Sequence, residues 1–173
     1  MEQPTQPIQH CYWVKPGCLL AGEYPRERDS EHLSQAKISA LLGAGITVFI
    51  DLTSDDDGLL PYSSLISAAA QHLRFPIRDR SIPASRAVTL AILDAIDDCI
   101  SRGERVYVHC WGGVGRTGVI VGCWLARHGS RGEAALNRLN ALWQQCPKSA
   151  FRNSPETLEQ TEYVRDWNED HQP

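Results

Sequence analysis

Residues 105–118 read RVYVHCWGGVGRTG, and most of the fold follows from them. Arg105 to His109 is a β-branched, nearly apolar run, the pattern of a strand buried on both faces of a parallel sheet. Glycines at 112, 113 and 115 break it into a loop. From Gly115 to Arg127 the residues are again largely apolar but run too long for a strand, which predicts a helix packed inside the domain. Working upstream, Ile46–Leu52 (ITVFIDL) has the same buried-strand character. Two such strands separated by helical patterns indicate an α/β domain with a central, mostly parallel sheet flanked by helices. Ligands in such sheets bind beyond the carboxyl ends of the strands, which directs attention to the residues after His109.

The remaining elements fall around this frame. Trp13–Ala21 predicts a short strand or hairpin broken at Gly17 and Gly22. A helix is expected from a Ser30 N-cap to Leu42, stopped by Gly43 and Gly45. Thr53–Ser64 is rich in Asp, Gly and Pro and predicts a loop. A short helix over 67–73 and a strand over 73–77 come next, and Arg78–Ser85 is a second loop. Val88, Ala91, Ile92, Ala95, Ile96, Cys99 and Ile100 recur at three-and-four spacing, which predicts one helix face. Glu133–Gln145 and Pro155–Trp167 predict the last two helices, the latter with Ser154 as N-cap and proline at the first helical position.

The 110–116 loop has the makings of an anion site. Its glycines allow successive N–H groups to point inward as a nest, and the following helix adds its N-terminal partial charge. Arg116 can grip two oxygens of one anion with its fork. The same positive field favours Cys110 as thiolate, the reactive form. Cys99–Arg105 (CISRGER) and Cys146–Arg152 (CPKSAFR) share the Cys-x5-Arg spacing, but neither follows a buried strand nor opens an apolar helix.

HCWGGVGRTG resembles the signature loop of the protein tyrosine and dual-specificity phosphatase superfamily, His-Cys-x5-Arg-Ser/Thr, and the chain length resembles its compact atypical members. The resemblance implies the cysteine-phosphatase fold and a two-step hydrolysis of a phosphate monoester with no metal or cofactor. Cys110 would be the nucleophile, and Trp111, Gly112, Gly113, Val114, Gly115 and Arg116 would bind the phosphate. Thr117 would hydrogen-bond the Cys110 sulfur, and His109 would orient the cysteine. Phe75–Pro83 (FPIRDRSIP) resembles the family's acid loop, which makes Asp79 the general acid, with Asp55, Asp56 and Asp57 left as a solvated turn or a rim facing substrate. The 154–160 stretch resembles the region where some members place a water-positioning glutamine, here Gln160, with an exposed helix glutamine as the alternative. Arg78 and Arg80 flank the acid and are candidates for a second substrate phosphate. Trp111 either roofs the pocket or packs beneath it.

The expected substrate is a phosphorylated protein, or alternatively a small phosphorylated molecule such as an inositol polyphosphate. A non-catalytic phosphate-binding module and a redox enzyme of the arsenate-reductase type stand further back. At 173 residues the chain fits one domain, taken as 13–170 after a loosely ordered segment 1–12. A net charge of −4 without a basic run argues against nucleic acid as partner. No apolar run is long enough to insert in a membrane, and no apolar signal core opens the chain, so the cytoplasm is the expected place. The sequence leaves oligomeric state open. Six cysteines without a Cys-x-x-Cys pair suggest neither a disulfide scaffold nor a zinc site, and Cys99 and Cys123 read as small buried hydrophobes. Asp51, at the end of a buried strand, reads as a structural hydrogen-bonding group, and Trp13, Trp143 and Trp167 read as packing residues.

Overall fold

The computed structural model describes residues 4–66 and 68–170. Five strands form one sheet in the order β1-β2-β5-β3-β4. Strands β1 (Cys11–Lys15) and β2 (Leu19–Gly22) make an antiparallel hairpin. Strand β2 then pairs in parallel with β5 (Val106–His109), β5 with β3 (Val48–Asp51), and β3 with β4 (Gln71–Arg74). The register aligns the last residues of four strands, Gly22, His109, Asp51 and Arg74, in one row across the sheet. The chain therefore leaves all four strands at the same edge. That edge gathers residues some 90 positions apart in sequence around Cys110.

Alternation along the strands gives each face its own core. Trp13, Leu20, Phe49 and Tyr107 face helices α1 (Glu31–Gly43) and α2 (Ser63–Ile66). Tyr12, Leu19, Val48, Ile50, Val106 and Val108 face α3 (Arg86–Ser101), α4 (Gly115–Arg127), α5 (Glu133–Trp143) and α6 (Leu158–Asp166). Helix α4 is buried along every residue from Gly115 to Ala126, as its all-round apolar sequence requires. It lies so close to α6 that a Cβ on Gly122 would sit 2.5 Å from Val164 Cγ1.

Several expectations change. Cys11 and Tyr12, assigned to the loosely ordered segment, are fully buried in β1, and Ile8 is buried ahead of them. Residues 1–3 lie outside those described. The short helix expected over 67–73 is absent where the chain is described. A single turn, α2, ends at Ile66, and Gln71–Arg74 is already strand. Parallel pairing with β3, from Val48 opposite Gln71 to Asp51 opposite Arg74, overrides the helical preference of the alanine-rich run. Ser154 does not cap the last helix. Thr157 does, accepting from Gln160 N in a capping box, while the Ser154 hydroxyl bonds the Val114 carbonyl at 2.7 Å. Ser30 caps α1 as expected.

Candidate active site

Cys110 follows β5 directly and is buried at the base of a cleft of about 290 Å3. Asp79, Trp111, Arg116, Arg152 and Glu156 share the lining of that cleft. A peptide carbonyl and the next residue's N–H point in opposite directions, so a carbonyl held from outside leaves the following N–H on the cleft side. The loop's carbonyls are held this way by donors from four parts of the chain. His109 Nδ1 bonds Cys110 O at 3.0 Å, and Tyr24 N, just past β2, bonds Trp111 O at 2.9 Å. Lys148 Nζ bonds Gly112 O at 2.8 Å. The Val114 carbonyl accepts from Ser154 Oγ and, at 3.2 Å, from Gly118 N. Gly113 has a φ of 73°, the left-handed region that glycine tolerates, and a Cβ there would lie 2.5 Å from the Gly22 carbonyl carbon. Holding these carbonyls turns the N–H groups that follow them the other way, the arrangement that an anion nest needs.

His109 is fully buried, and burial lowers its pKa despite the opposing field of Asp51. The Cys110 carbonyl can only accept, so Nδ1 carries the proton, and Nε2 accepts from Tyr62 Oη at 2.5 Å. His109 thus meets Cys110 through the backbone. Asp51 sits beside this network, accepting from Thr53 N at 2.9 Å and from the Thr53 hydroxyl, and pairing with His72 Nε2 at 2.9 Å. Burial works against its charge, but these partners draw its pKa down to about 2.

Arg116 Nη1 donates to Asp57 Oδ2 at 2.7 Å and to Ile77 O at 3.0 Å, while Nη2 donates to Asp79 Oδ1 at 3.0 Å. Burial opposes its charge, and Cys110, Asp57 and Asp79 together still hold its pKa above the ordinary arginine value. Asp57 is not a solvated turn residue: its side chain is 3% exposed, and Oδ2 also accepts from Ser54 N at 3.0 Å. The three-aspartate turn separates by role, since Asp55 is exposed and pairs with Arg74. Asp79, by contrast, is 51% exposed on the same cleft as Cys110.

The acid loop is tied to the start of α6. Arg80 Nη1 meets Glu156 Oε1 at 2.8 Å, and Gln160 Nε2 donates to Ser81 O at 3.0 Å. Gln160 Oε1 accepts from Glu156 N and Thr157 N, each at 3.1 Å. The side chain is fully buried and committed at both ends, so here it is a brace rather than a free amide facing the cleft, and it is not an exposed helix residue either. Neither Arg78 nor Arg80 lines the cleft: Arg78 is exposed, and Arg80 pairs with Glu156 from outside that lining. The second cation on the cleft wall, beside Arg116, is instead Arg152, 2.9 Å from Glu156 Oε1, the terminal residue of a discarded Cys-x5-Arg match. Thr117 is fully buried at the first turn of α4, and its Oγ1 has no hydrogen-bond partner, the Cys110 sulfur included. Trp111 does not pack beneath the site: it lines the cleft and stands 46% exposed, with the Arg28 guanidinium 5.3 Å from its ring centre.

Sequence reading missed Asp57, Tyr62, Lys148, Arg152 and Ser154. The Thr157-x-x-Gln160 capping box was the one available signal for how α6 begins. The others are joined to the loop only by tertiary structure.

Comparison with known proteins agrees with this geometry. Residues 8–164 match the family described as PTP-SAK, Swiss Army Knife protein, DSP-PTPase phosphatase domain. A protein of Invertebrate iridescent virus 3 that carries the name tyrosine phosphatase 067L is 33% identical over 97 residues, 54% of this chain and 39% of its own length. Phosphatidylglycerophosphate phosphatase PTPMT2 of Arabidopsis thaliana is 31% identical over 118 residues, 68% of this chain and 48% of its own length. The chain thus spans less than half the length of either curated relative. Among solved structures, Tk-PTP in the active form superposes with a TM-score of 0.72 at 20% identity, covering 91% of this chain and 95% of that one, a likeness of fold. A match over residues 8–164, with Cys110 directly after β5 and Arg116 in the first turn of α4 as the signature loop requires, places the chain in the DSP-PTPase phosphatase family.

Proposed function

We propose that this protein hydrolyses phosphate monoesters, phosphorylated proteins first among them, through a cysteinyl-phosphate on Cys110. The supporting observation is the cleft that Cys110, Arg116 and Asp79 share, with the loop carbonyls held away from it. The Cys110 thiolate attacks phosphorus as the ester P–O bond breaks, and Asp79 gives its proton to the departing oxygen. Arg116 exchanges its Asp79 contact for the phosphoryl oxygens and, with the loop amides, stabilises their charge. In the second step Asp79 takes a proton from water, which attacks phosphorus, breaks the S–P bond and regenerates the thiolate. Thr117 Oγ1, unpartnered at the helix start, supplies a donor to the departing sulfur.

A second substrate class is favoured by Arg152. By exchanging its Glu156 contact for a further anionic group, as on an inositol polyphosphate, the guanidinium beside the loop at Gly112 would supply a second grip. The unpaired thiols suit a reducing compartment, and we assign the protein to the cytoplasm. The test is kcat/KM for phosphotyrosine and phosphoserine peptides against inositol phosphates, with Cys110→Ser and Arg152→Gln. Cys110→Ser should abolish turnover of all of them, and normal turnover by it would remove Cys110 from the reaction. Arg152→Gln should reduce inositol phosphate turnover selectively if that class is the substrate. An equal effect on peptides would leave phosphoproteins as the better reading.

A further inference from the structure

We infer that Lys148 is a positioning residue for the phosphate-binding loop: its ammonium, held by Glu23, pins the Gly112 carbonyl outward and so aims the Gly113 N–H at the bound oxyanion. The inference rests on reading the 110–116 loop as an oxyanion cup. Among the described residues that hold loop carbonyls, Lys148 alone carries a full charge; the others are backbone amides, the Ser154 hydroxyl and the neutral His109 ring. It reaches Gly112 from the turn Pro147–Ala150, which is 36 residues away in sequence. Its Nζ lies 2.8 Å from Gly112 O and 3.0 Å from Glu23 Oε2. Glu23 Oε1 in turn meets Lys37 Nζ at 2.5 Å, and Lys37 also pairs with Glu27. Lys148, Glu23 and Lys37 are all mostly buried, so this is an anchored chain and not a surface pair.

The peptide it holds is the one that most needs holding. The 112–113 bond joins two glycines, the second at positive φ, so no side chain resists its rotation. Rotation would turn the Gly112 carbonyl, a negative dipole end, toward the cup, and remove the Gly113 amide from it. A charge-assisted bond to the carbonyl favours the productive orientation before any ligand arrives, which is preorganisation of the oxyanion site.

The experiment compares Lys148→Met and Lys148→Arg with the unaltered protein. It measures tungstate affinity by calorimetry, Tm, and kcat and KM for p-nitrophenyl phosphate. Lys148→Met should weaken tungstate binding about tenfold or more, the scale of one charged hydrogen bond, and lower kcat/KM by a similar factor. Lys148→Arg, which restores a charged donor, should stay within about threefold of the original affinity. A Lys148→Met protein that loses Tm but binds tungstate and turns over substrate as before would overturn the inference, because a merely structural lysine behaves that way. Should that variant not fold, Lys148→Gln, a shorter uncharged donor, carries the same measurements and the same expected direction. Failure of the unaltered protein to bind tungstate would instead defeat the cup reading itself.

Discussion

Replacing Asp57 by asparagine should destabilise the protein while leaving its hold on phosphate intact or tighter. The carboxylate lies 2.7 Å from Arg116 Nη1, with the two side chains 3% and 1% exposed, so solvent screens the pair very little. Leaving a buried charge without its partner costs about 3–5 kcal/mol. Asparagine keeps an oxygen where Oδ2 now accepts from Arg116 and Ser54, which saves part of that sum. Arg116 also retains the Ile77 carbonyl and Asp79, though Asp79 is half in water and contributes about 0–1 kcal/mol. The net loss is then about 2–3 kcal/mol, a fall in Tm of roughly 4–12 °C for a chain of this size. Because Asp57 and a bound oxyanion both neutralise Arg116, the variant should gain more Tm than the original protein at the same phosphate concentration. Thermal scans with and without phosphate read both effects. A Tm within 2 °C of the original, or a gap that phosphate fails to narrow, would refute the claim that Asp57 is the buried counter-charge of Arg116.

Three further outcomes follow from the same structure. Asp79→Asn should change Tm little, since its ion pair is exposed, but should slow aryl phosphates with poor leaving groups far more than those with good ones; equal slowing would move the acid role elsewhere. Asp51, with its pKa drawn down to about 2, contributes stability that is present above the ordinary carboxylate range and lost as pH falls toward 2, so Asp51→Asn should flatten the acid limb of stability between about pH 4 and 2 in urea titrations. Gly122→Ala should cost about 1–3 kcal/mol by pressing on Val164, and Val164→Ala should recover part of it, a coupling that a double-mutant cycle measures directly.

The strand, loop and helix around Cys110 were legible because everything that defines them is contiguous. The β-branched run of β5, the glycines after it and the apolar helix that follows are local signals, and each agrees with the next. Where local signal and tertiary pairing disagreed, the local reading failed. Ala68–Ala70 has helical composition, yet the free edge of β3 draws Gln71–Arg74 into the sheet. Ser154-Pro155 has the form of a helix start, yet the serine hydroxyl is taken by the Val114 carbonyl, and the helix begins three residues later at a threonine able to close a capping box.

The same distinction divides the site. Cys110, Arg116 and Asp79 could be named from sequence because nucleophile and arginine share one loop and the acid lies in a segment with its own pattern. Asp57 could not: aspartates before a glycine read as a solvated turn, and nothing local says that one of them faces an arginine 59 residues away. Lys148, Tyr24 and Ser154 were equally silent, since what each contributes is a donor to a loop carbonyl. An amide cup requires its carbonyls to be satisfied on the far side, and a seven-residue loop cannot supply those donors itself. The supporting shell must therefore come from elsewhere in the chain: the row formed by Gly22, His109, Asp51 and Arg74 brings Tyr24 and His109 to the loop, and the segment between α5 and α6 brings Lys148 and Ser154. The loop's motif states which chemistry is available, and the register of the sheet decides whether that loop is held in the shape the chemistry needs.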